Sequence, residues 1–306
     1  MGLFDELAKI EAREEKLVPK SDLDTIFTAE EEIIKEHKTD KMFEEYSQRH
    51  SEAYSLLKGS TQEKIADIKL TSEMLQEYIS ARENIEKDTV AIIRGMYSAA
   101  LLELICKKNS NIKIYINGKG KTFNFLFYYI NHVRNLTLKN ISGNKVLYHA
   151  GSWNGSCEHL SLSGIKGEQI LERAGSWNGS AKRIVINNIY GNRLLCYAGA
   201  HGGSIKHITV QNVEGNNTLT EVALGEGSAK YLTLKRIKGD YTLKNAHINV
   251  STKYILRENN SDKRQKEIFS QIEKIADIIH TLPFEEQKTA YDEIARLQKE
   301  IFSEET

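Results

Sequence analysis

Apolar and polar positions recur every 24 residues between about Asn111 and Leu256 of this chain. One apolar column contains Leu136, Leu160, Ile184, Ile208, Leu232 and Leu256. A second, two residues further on, contains Leu138, Leu162, Ile186, Val210 and Leu234. The column between them is polar (Thr137, Ser161, Thr209 and Thr233), with Val185 as the exception. This alternation predicts one β-strand per repeat with one buried face.

Other positions share the period. A glycine column (Gly143, Gly167, Gly191, Gly215 and Gly239) is typical of a turn that requires positive φ. A loop of sequence Ala-Gly-Ser-Trp-Asn-Gly-Ser occupies residues 150–156, returns at 174–180, and returns in weaker form at 198–204. Cys157 shares its column with small or apolar residues, which predicts a buried side chain.

A fixed period of this length is typical of a solenoid. Over roughly residues 111–257 the pattern resembles a short parallel β-helix, or β-solenoid, with the right-handed crossover that is usual for parallel strands. The resemblance implies five to six coils, each with about three short strands, stacked at about 4.8 Å. It is a resemblance to an architecture and not to a sequence family, so it carries little information on function.

The flanking sequences predict α-helices. Residues 1–105 form a predicted helical region whose last helix, over the apolar run 90–105, caps the solenoid. Capping boxes at residues 28–31 and 60–63 predict two helix starts. The pattern of residues 259–306 predicts a helical hairpin. The expected organisation is therefore an acidic helical region over 1–105, a basic parallel β-helix over 106–258 and the helical hairpin over 259–306.

The second apolar stripe of the hairpin is narrow enough for a coiled-coil seam. It either packs within its own chain or forms a homo-oligomer through helices 262–304, and both alternatives stay open.

Charge divides the chain along the same boundaries. The whole chain has 42 basic and 42 acidic residues, yet residues 1–105 carry a net −9, residues 106–258 a net +13 and residues 259–306 a net −4. Such asymmetry indicates either a polyanionic partner or attraction between parts of the protein.

The sequence predicts a cytoplasmic protein without a membrane span. No secretory signal is visible at the start of the sequence, and its three cysteines show no CxxC spacing. The apolar run 90–105 is interrupted by Arg94 and Glu103 and is too short to cross a bilayer.

Catalytic patterns are absent from the sequence. Glycoside hydrolysis requires a pair of carboxylates, but the eight acids of the repeat occupy mostly different columns, and Glu172 and Glu221 fall two coils apart. No P-loop, dinucleotide or HExxH motif occurs, and no histidine pair has ligand spacing. We therefore expect no catalytic residues, no metal and no cofactor.

Two outward features are the candidate sites. The first is a basic stripe, in which one column contains Lys182, Lys206 and Lys230, with Arg134 at its start and Glu158 as the exception. Further cations of this site are Arg183, Lys235, Arg236 and Lys238. Rows of cations suit phosphate binding, although a solvated face or docked acidic flanks would look the same in the sequence.

The second candidate is an aromatic ladder of Trp153, Trp177 and His201, one ring per coil. Such rings can bind a base, a sugar or a protein surface, or can simply stabilise their own corner.

Together these features predict a non-enzymatic intracellular binding scaffold whose basic solenoid face binds a polyanion, such as RNA or a ribonucleoprotein. The alternative is a self-assembling structural protein in which acidic helices dock on neighbouring solenoids. A weaker alternative is a carbohydrate-active β-helix enzyme.

Overall fold

A computed structural model describes residues 21–240, apart from residues 46, 48, 83–87 and 110. It also describes residues 245, 246, 271, 289, 293 and 296, and for Tyr231 and Lys235 it describes the backbone. The predicted C-terminal hairpin and its oligomer-forming helices therefore lie outside the described residues, apart from those isolated positions.

Within the described part of the chain, four α-helices precede the repeat: α1 (Asp22–His37), α2 (His50–Lys64), α3 (Ser72–Ala81) and α4 (Thr89–Lys108). A short 3₁₀ helix, Lys41–Phe43, follows α1. Three of the α-helices begin at a side chain that accepts hydrogen bonds from the first-turn amides, namely Ser21, Thr71 and Asp88.

Both predicted capping boxes are wrong, because Thr28 lies inside α1 and Ser60 lies inside α2. The Thr28 hydroxyl donates to the Asp24 carbonyl, four residues earlier, at 2.8 Å. This is the usual bond of a threonine in a helix interior.

Up to residue 240, where continuous description ends, the repeat folds into one sheet of six parallel strands, in chain order. The strands are β1 (Lys113–Asn117), β2 (His132–Ser142), β3 (Ser156–Lys166), β4 (Ser180–Tyr190), β5 (Ser204–Glu214) and β6 (Ser228–Lys238). Between β2 and β6 the paired residues of neighbouring strands are 24 positions apart, as Leu160 and Ile184 are. The predicted fold class is confirmed: the chain forms a parallel β-solenoid of about five turns, flanked by helices.

The apolar columns point into the solenoid, as predicted. Leu160, Leu162 and Ile165 of β3 are at most 1% exposed, and their register partners on neighbouring strands are at most 2% exposed. Cys157 is 1% exposed and lies beside Val133 and Ala181, so its expected place in the core is confirmed.

The prediction of about three strands per coil is wrong. Each complete coil has one strand of 11 residues, and its remaining backbone turns through residues with positive φ. In one such segment Lys145, Leu147 and His149 have φ of 56°, 55° and 62°. The amide of Lys145 donates to the following coil and that of Leu147 to the preceding coil, so this segment links its neighbours without forming a sheet.

The first coil is also shorter than the sequence pattern indicates. Lys113 pairs with Asn135, an offset of 22 residues, and Thr122 pairs with Ser142, an offset of 20. Phe123 consequently lies against Gly143 and not in the column of Leu147, where the 24-residue period places it.

The glycine column is required by close contact between coils. Gly191 has φ of 150°, and a Cβ atom built on it would lie 1.7 Å from the carbonyl oxygen of Gly167 in the preceding coil. The predicted positive φ is therefore confirmed. Glycine is also required for a steric reason, since no side chain fits at this distance from the preceding coil.

Helix α4 lies against the first coil. The Ser98 hydroxyl accepts a hydrogen bond from the amide of Phe127 at 3.1 Å, and the Glu103 carboxylate accepts from the amide of His132 at 3.0 Å. Among the described residues α4 is the one helix long and apolar enough to cross a membrane, and 83% of its apolar window is buried inside the protein.

Candidate functional site

The outer sheet face, by which we mean the exposed and half-buried side chains of β1–β6, is strongly basic. The six strands contain eleven Lys or Arg residues against two acids, a net formal charge of +9. Ten of the cations are exposed, and the side chain of the eleventh, Lys235, lies outside the described residues. Cations of this face that the sequence analysis missed are Lys113, Lys139 and Lys166.

The lysine column, Lys182, Lys206 and Lys230, has three exposed side chains at one register position of β4, β5 and β6. Neighbouring parallel strands are about 4.8 Å apart, so the column is a closely spaced row of cations. Within the part of the chain that the structure describes, neither Lys182 nor Lys206 forms an ion pair with a carboxylate.

Arg134 stands at the start of this column but differs in its electrostatics. Its Nε atom lies 3.7 Å from the Glu158 Oε1 atom, one strand further along. Because this acid offsets the charge of Arg134, the strongest part of the basic stripe begins at β4. Arg183, Arg236 and Lys238, the other predicted cations, are also exposed on the outer sheet face.

The aromatic ladder forms as predicted. The rings of Trp153 and Trp177 are stacked with centroids 5.0 Å apart and planes 7° apart, and Trp177 stacks on His201 at 5.3 Å. Since the three rings come from successive coils, both faces of Trp177 are covered, and the ladder presents its ring edges and its two ends. Trp153 is 45% exposed and His201 is also exposed.

Behind the ladder lies a buried histidine that the sequence analysis did not identify as part of it. His149 is 2% exposed and stacks on Trp177 at 5.2 Å and on Tyr129 at 4.3 Å. Burial, followed by the positive charge of Arg173, holds the pKa of His149 well below its ordinary value. The Arg173 guanidinium lies 5.1 Å from the centre of the Trp177 ring, which adds a cation–π contact.

Glu172 is fully buried, although the sequence pattern did not place it in the core. Its Oε1 atom accepts a hydrogen bond from the Arg193 guanidinium at 2.7 Å, and its Oε2 atom accepts one from Gln169 at 3.1 Å. Burial raises its pKa, while the charge of Arg193 acts in the opposite direction. Both carboxylate oxygens are therefore engaged within the protein.

A cavity of about 510 Å³ lies where the helices meet the solenoid. It is lined by side chains of both signs, including Lys58, Lys107, Arg134 and Glu103. Glu103 is 4% exposed and pairs with Lys58, so this charge is already compensated inside the helical region.

The acidic helical region contacts the solenoid away from the lysine column. The Glu45 carboxylate pairs with Lys145 at 2.7 Å, in the turn segment after β2. No group of three or more His, Cys, Asp and Glu side chains able to hold a metal ion occurs among the described residues.

Comparison with known protein families, with curated proteins and with solved structures finds no match to this chain.

Proposed function

We propose that the protein is a non-enzymatic binding scaffold whose outer sheet face binds a polyanion, with RNA as the preferred partner. The observation that carries this proposal is the net charge of +9 on β1–β6, with the lysine column as its most regular part. A ribonucleoprotein would present the same phosphates and would be bound through the same cations.

The rigidity of the face favours phosphate binding. Lysines on neighbouring strands of a hydrogen-bonded sheet are held close together, at a cost in mutual repulsion that an anionic ligand relieves. Each phosphate that a lysine neutralises releases counterions from the nucleic acid, so affinity falls steeply with salt. Contacts of this kind position a nucleic acid without discriminating its sequence.

The state of Glu172 supports a binding function over glycan hydrolysis. A general acid or nucleophile needs access to the glycosidic bond. The Glu172 side chain is about 1% exposed, and both its oxygens accept hydrogen bonds from neighbouring side chains.

The test is RNA binding as a function of salt, measured by fluorescence anisotropy with a labelled single-stranded 20-mer. We expect affinity to fall linearly on a log–log plot between 50 and 300 mM salt, with a slope of about −0.7 per phosphate neutralised. The double variant Lys182→Gln/Lys206→Gln is expected to reduce that slope by roughly 1.4, since it removes two contacts.

The matched control is Lys41→Gln/Lys69→Gln, which makes the same charge change at two exposed lysines of the helical region. Its slope is expected to equal that of the wild type. Equal loss in both variants, or no binding by the wild type at 50 mM salt, would refute the proposal. A different outcome is self-assembly, in which the mass of the protein measured by light scattering rises with protein concentration and is lower in the Lys182→Gln/Lys206→Gln variant. In that case the outer sheet face binds the acidic regions of other copies of the chain.

A further inference from the structure

We infer that the end of the aromatic ladder at His201 is a stacking site for a nucleobase. The ligand of the outer sheet face is then a single-stranded nucleic acid. This inference rests on the proposed function, because it assigns the base contact that accompanies phosphate binding on the lysine column.

The first observation is where the ladder ends. Trp153, Trp177 and His201 occupy equivalent corners before β3, β4 and β5, and the equivalent corner before β6 has Gly225. Because glycine has no side chain, the stack stops at His201. Among the described residues, a Cβ atom built on Gly225 would meet nothing closer than the Nδ1 atom of His201, at 3.9 Å, so that part of the chain leaves open space beside this ring.

The second observation is the charge next to each end of the ladder. Five residues after His201 and after Gly225 come Lys206 and Lys230 of the lysine column. Five residues of chain span at most about 17 Å, so these cations lie within reach of a phosphate joined to a stacked base. At the other end, five residues after Trp153, stands Glu158, which is paired with Arg134. The exposed Glu226, directly after Gly225, offsets one of these two lysines, whereas Arg134 and Glu158 at the other end offset each other completely. The remaining positive charge therefore lies at the His201 end.

A nucleobase satisfies both conditions, because its ring can stack on His201 while the phosphate joined to it contacts the nearby lysines. Proteins that bind single-stranded nucleic acids combine a row of cations along the backbone with aromatic rings on which bases stack. Bases of a duplex are stacked on one another and present only their edges. The open ring face at His201 thus selects a strand whose bases are unpaired.

The chain contains two tryptophans, Trp153 and Trp177, and both belong to the ladder. Tryptophan fluorescence is therefore a direct report on this site. The test compares a uridine 20-mer with an abasic ribose-phosphate oligomer of the same length, by anisotropy and by tryptophan emission. We expect the uridine oligomer to bind roughly five- to a hundred-fold more tightly and to change the emission more than the abasic oligomer does.

Two variants separate stacking from charge. His201→Ala removes the ring, and Gly225→Asn fills the open space with a residue that tolerates the φ of +73° at this position. Both are expected to bind the two oligomers with equal affinity and to leave affinity for the abasic oligomer at the wild-type value. Thermal unfolding monitored by circular dichroism checks that each variant folds.

The possible failures are distinct. If the wild type binds both oligomers equally, and Lys182→Gln/Lys206→Gln weakens both, the proposed function stands and the stacking site is refuted. If neither oligomer binds the wild type, the proposed function itself fails. A preference for uridine that persists in His201→Ala would place the base elsewhere and would also overturn the inference.

Discussion

The contact between Gly167 and Gly191 provides the sharpest test of how the coils stack. In Gly191→Ala the new Cβ atom would lie 1.7 Å from the Gly167 carbonyl oxygen, so that oxygen must move by more than about 1 Å. A shift of residue 191 away from that oxygen strains the hydrogen bond from its own amide to the Glu214 carbonyl, which is 3.0 Å long.

The expected cost of Gly191→Ala has two parts. Holding alanine in a backbone region suited to glycine costs about 1–3 kcal/mol. Loss of one or two backbone hydrogen bonds adds about 0.5–1.5 kcal/mol each. We therefore expect the free energy of unfolding to fall by about 2–6 kcal/mol, which lowers the melting temperature by roughly 5–20 °C.

The assay is thermal and urea unfolding followed by far-ultraviolet circular dichroism. The control is Gly59→Ala in α2, where a Cβ atom would have no neighbour within 4 Å. It should raise stability by roughly 0.5–1 kcal/mol, because alanine is the better helix former. A Gly191→Ala protein within about 1 kcal/mol of the wild type would show that the coils do not need the glycine column.

Two further predictions concern buried charge. Arg193→Met should lower stability at pH 7 by about 1–3 kcal/mol, a range discounted for the partial exposure of Arg193, because it leaves Glu172 buried without its cation. In urea unfolding, the stability lost in Arg193→Met should shrink as pH falls, because Glu172 becomes protonated. The control Arg183→Met should change stability little at any pH. A loss in Arg193→Met that grows on acidification would contradict this explanation. The pKa of His149 is lower in the folded protein than in the unfolded chain, so protonation favours unfolding and stability should fall as pH drops below about 6.5, by up to about 1.4 kcal/mol per pH unit. In unfolding melts from pH 7 to 5, His149→Asn should reduce the dependence of stability on pH, whereas the control His159→Asn should leave it unchanged. Equal dependence in the wild type and both variants would show that His149 is not the group responsible.

Much of the solenoid was predictable because its determinants are local and repeated. Leu160 and Ile184 mark an inward column by alternation alone, and Gly191 marks a backbone position that other residues avoid. Each such position is present in several copies, so the pattern is clear without knowledge of the contacts.

The turn segments were not predictable in the same way. Leu147 and His149 have positive φ, which their side chains disfavour when considered alone. They adopt it because their amides bond to carbonyls of the coils on either side. The first coil departs from the 24-residue period for a related reason. Phe123 is apolar, so it fits a core column at an offset of either 20 or 24 residues, and only the pairing of Thr122 with Ser142 selects the shorter offset.

Some features of the candidate site follow from the repeat alone, and others depend on the folded chain. The repeat period alone predicts that three lysines share a column and that Trp153, Trp177 and His201 align, since a fixed period places equivalent residues one above another. The folded chain was needed to show that Glu172 is buried against Arg193 and that Arg134 is offset by Glu158. It was also needed to show that the described residues leave open space at Gly225. Those outcomes depend on distances between side chains and on the space left by neighbouring coils, and a repeat period carries no information on either.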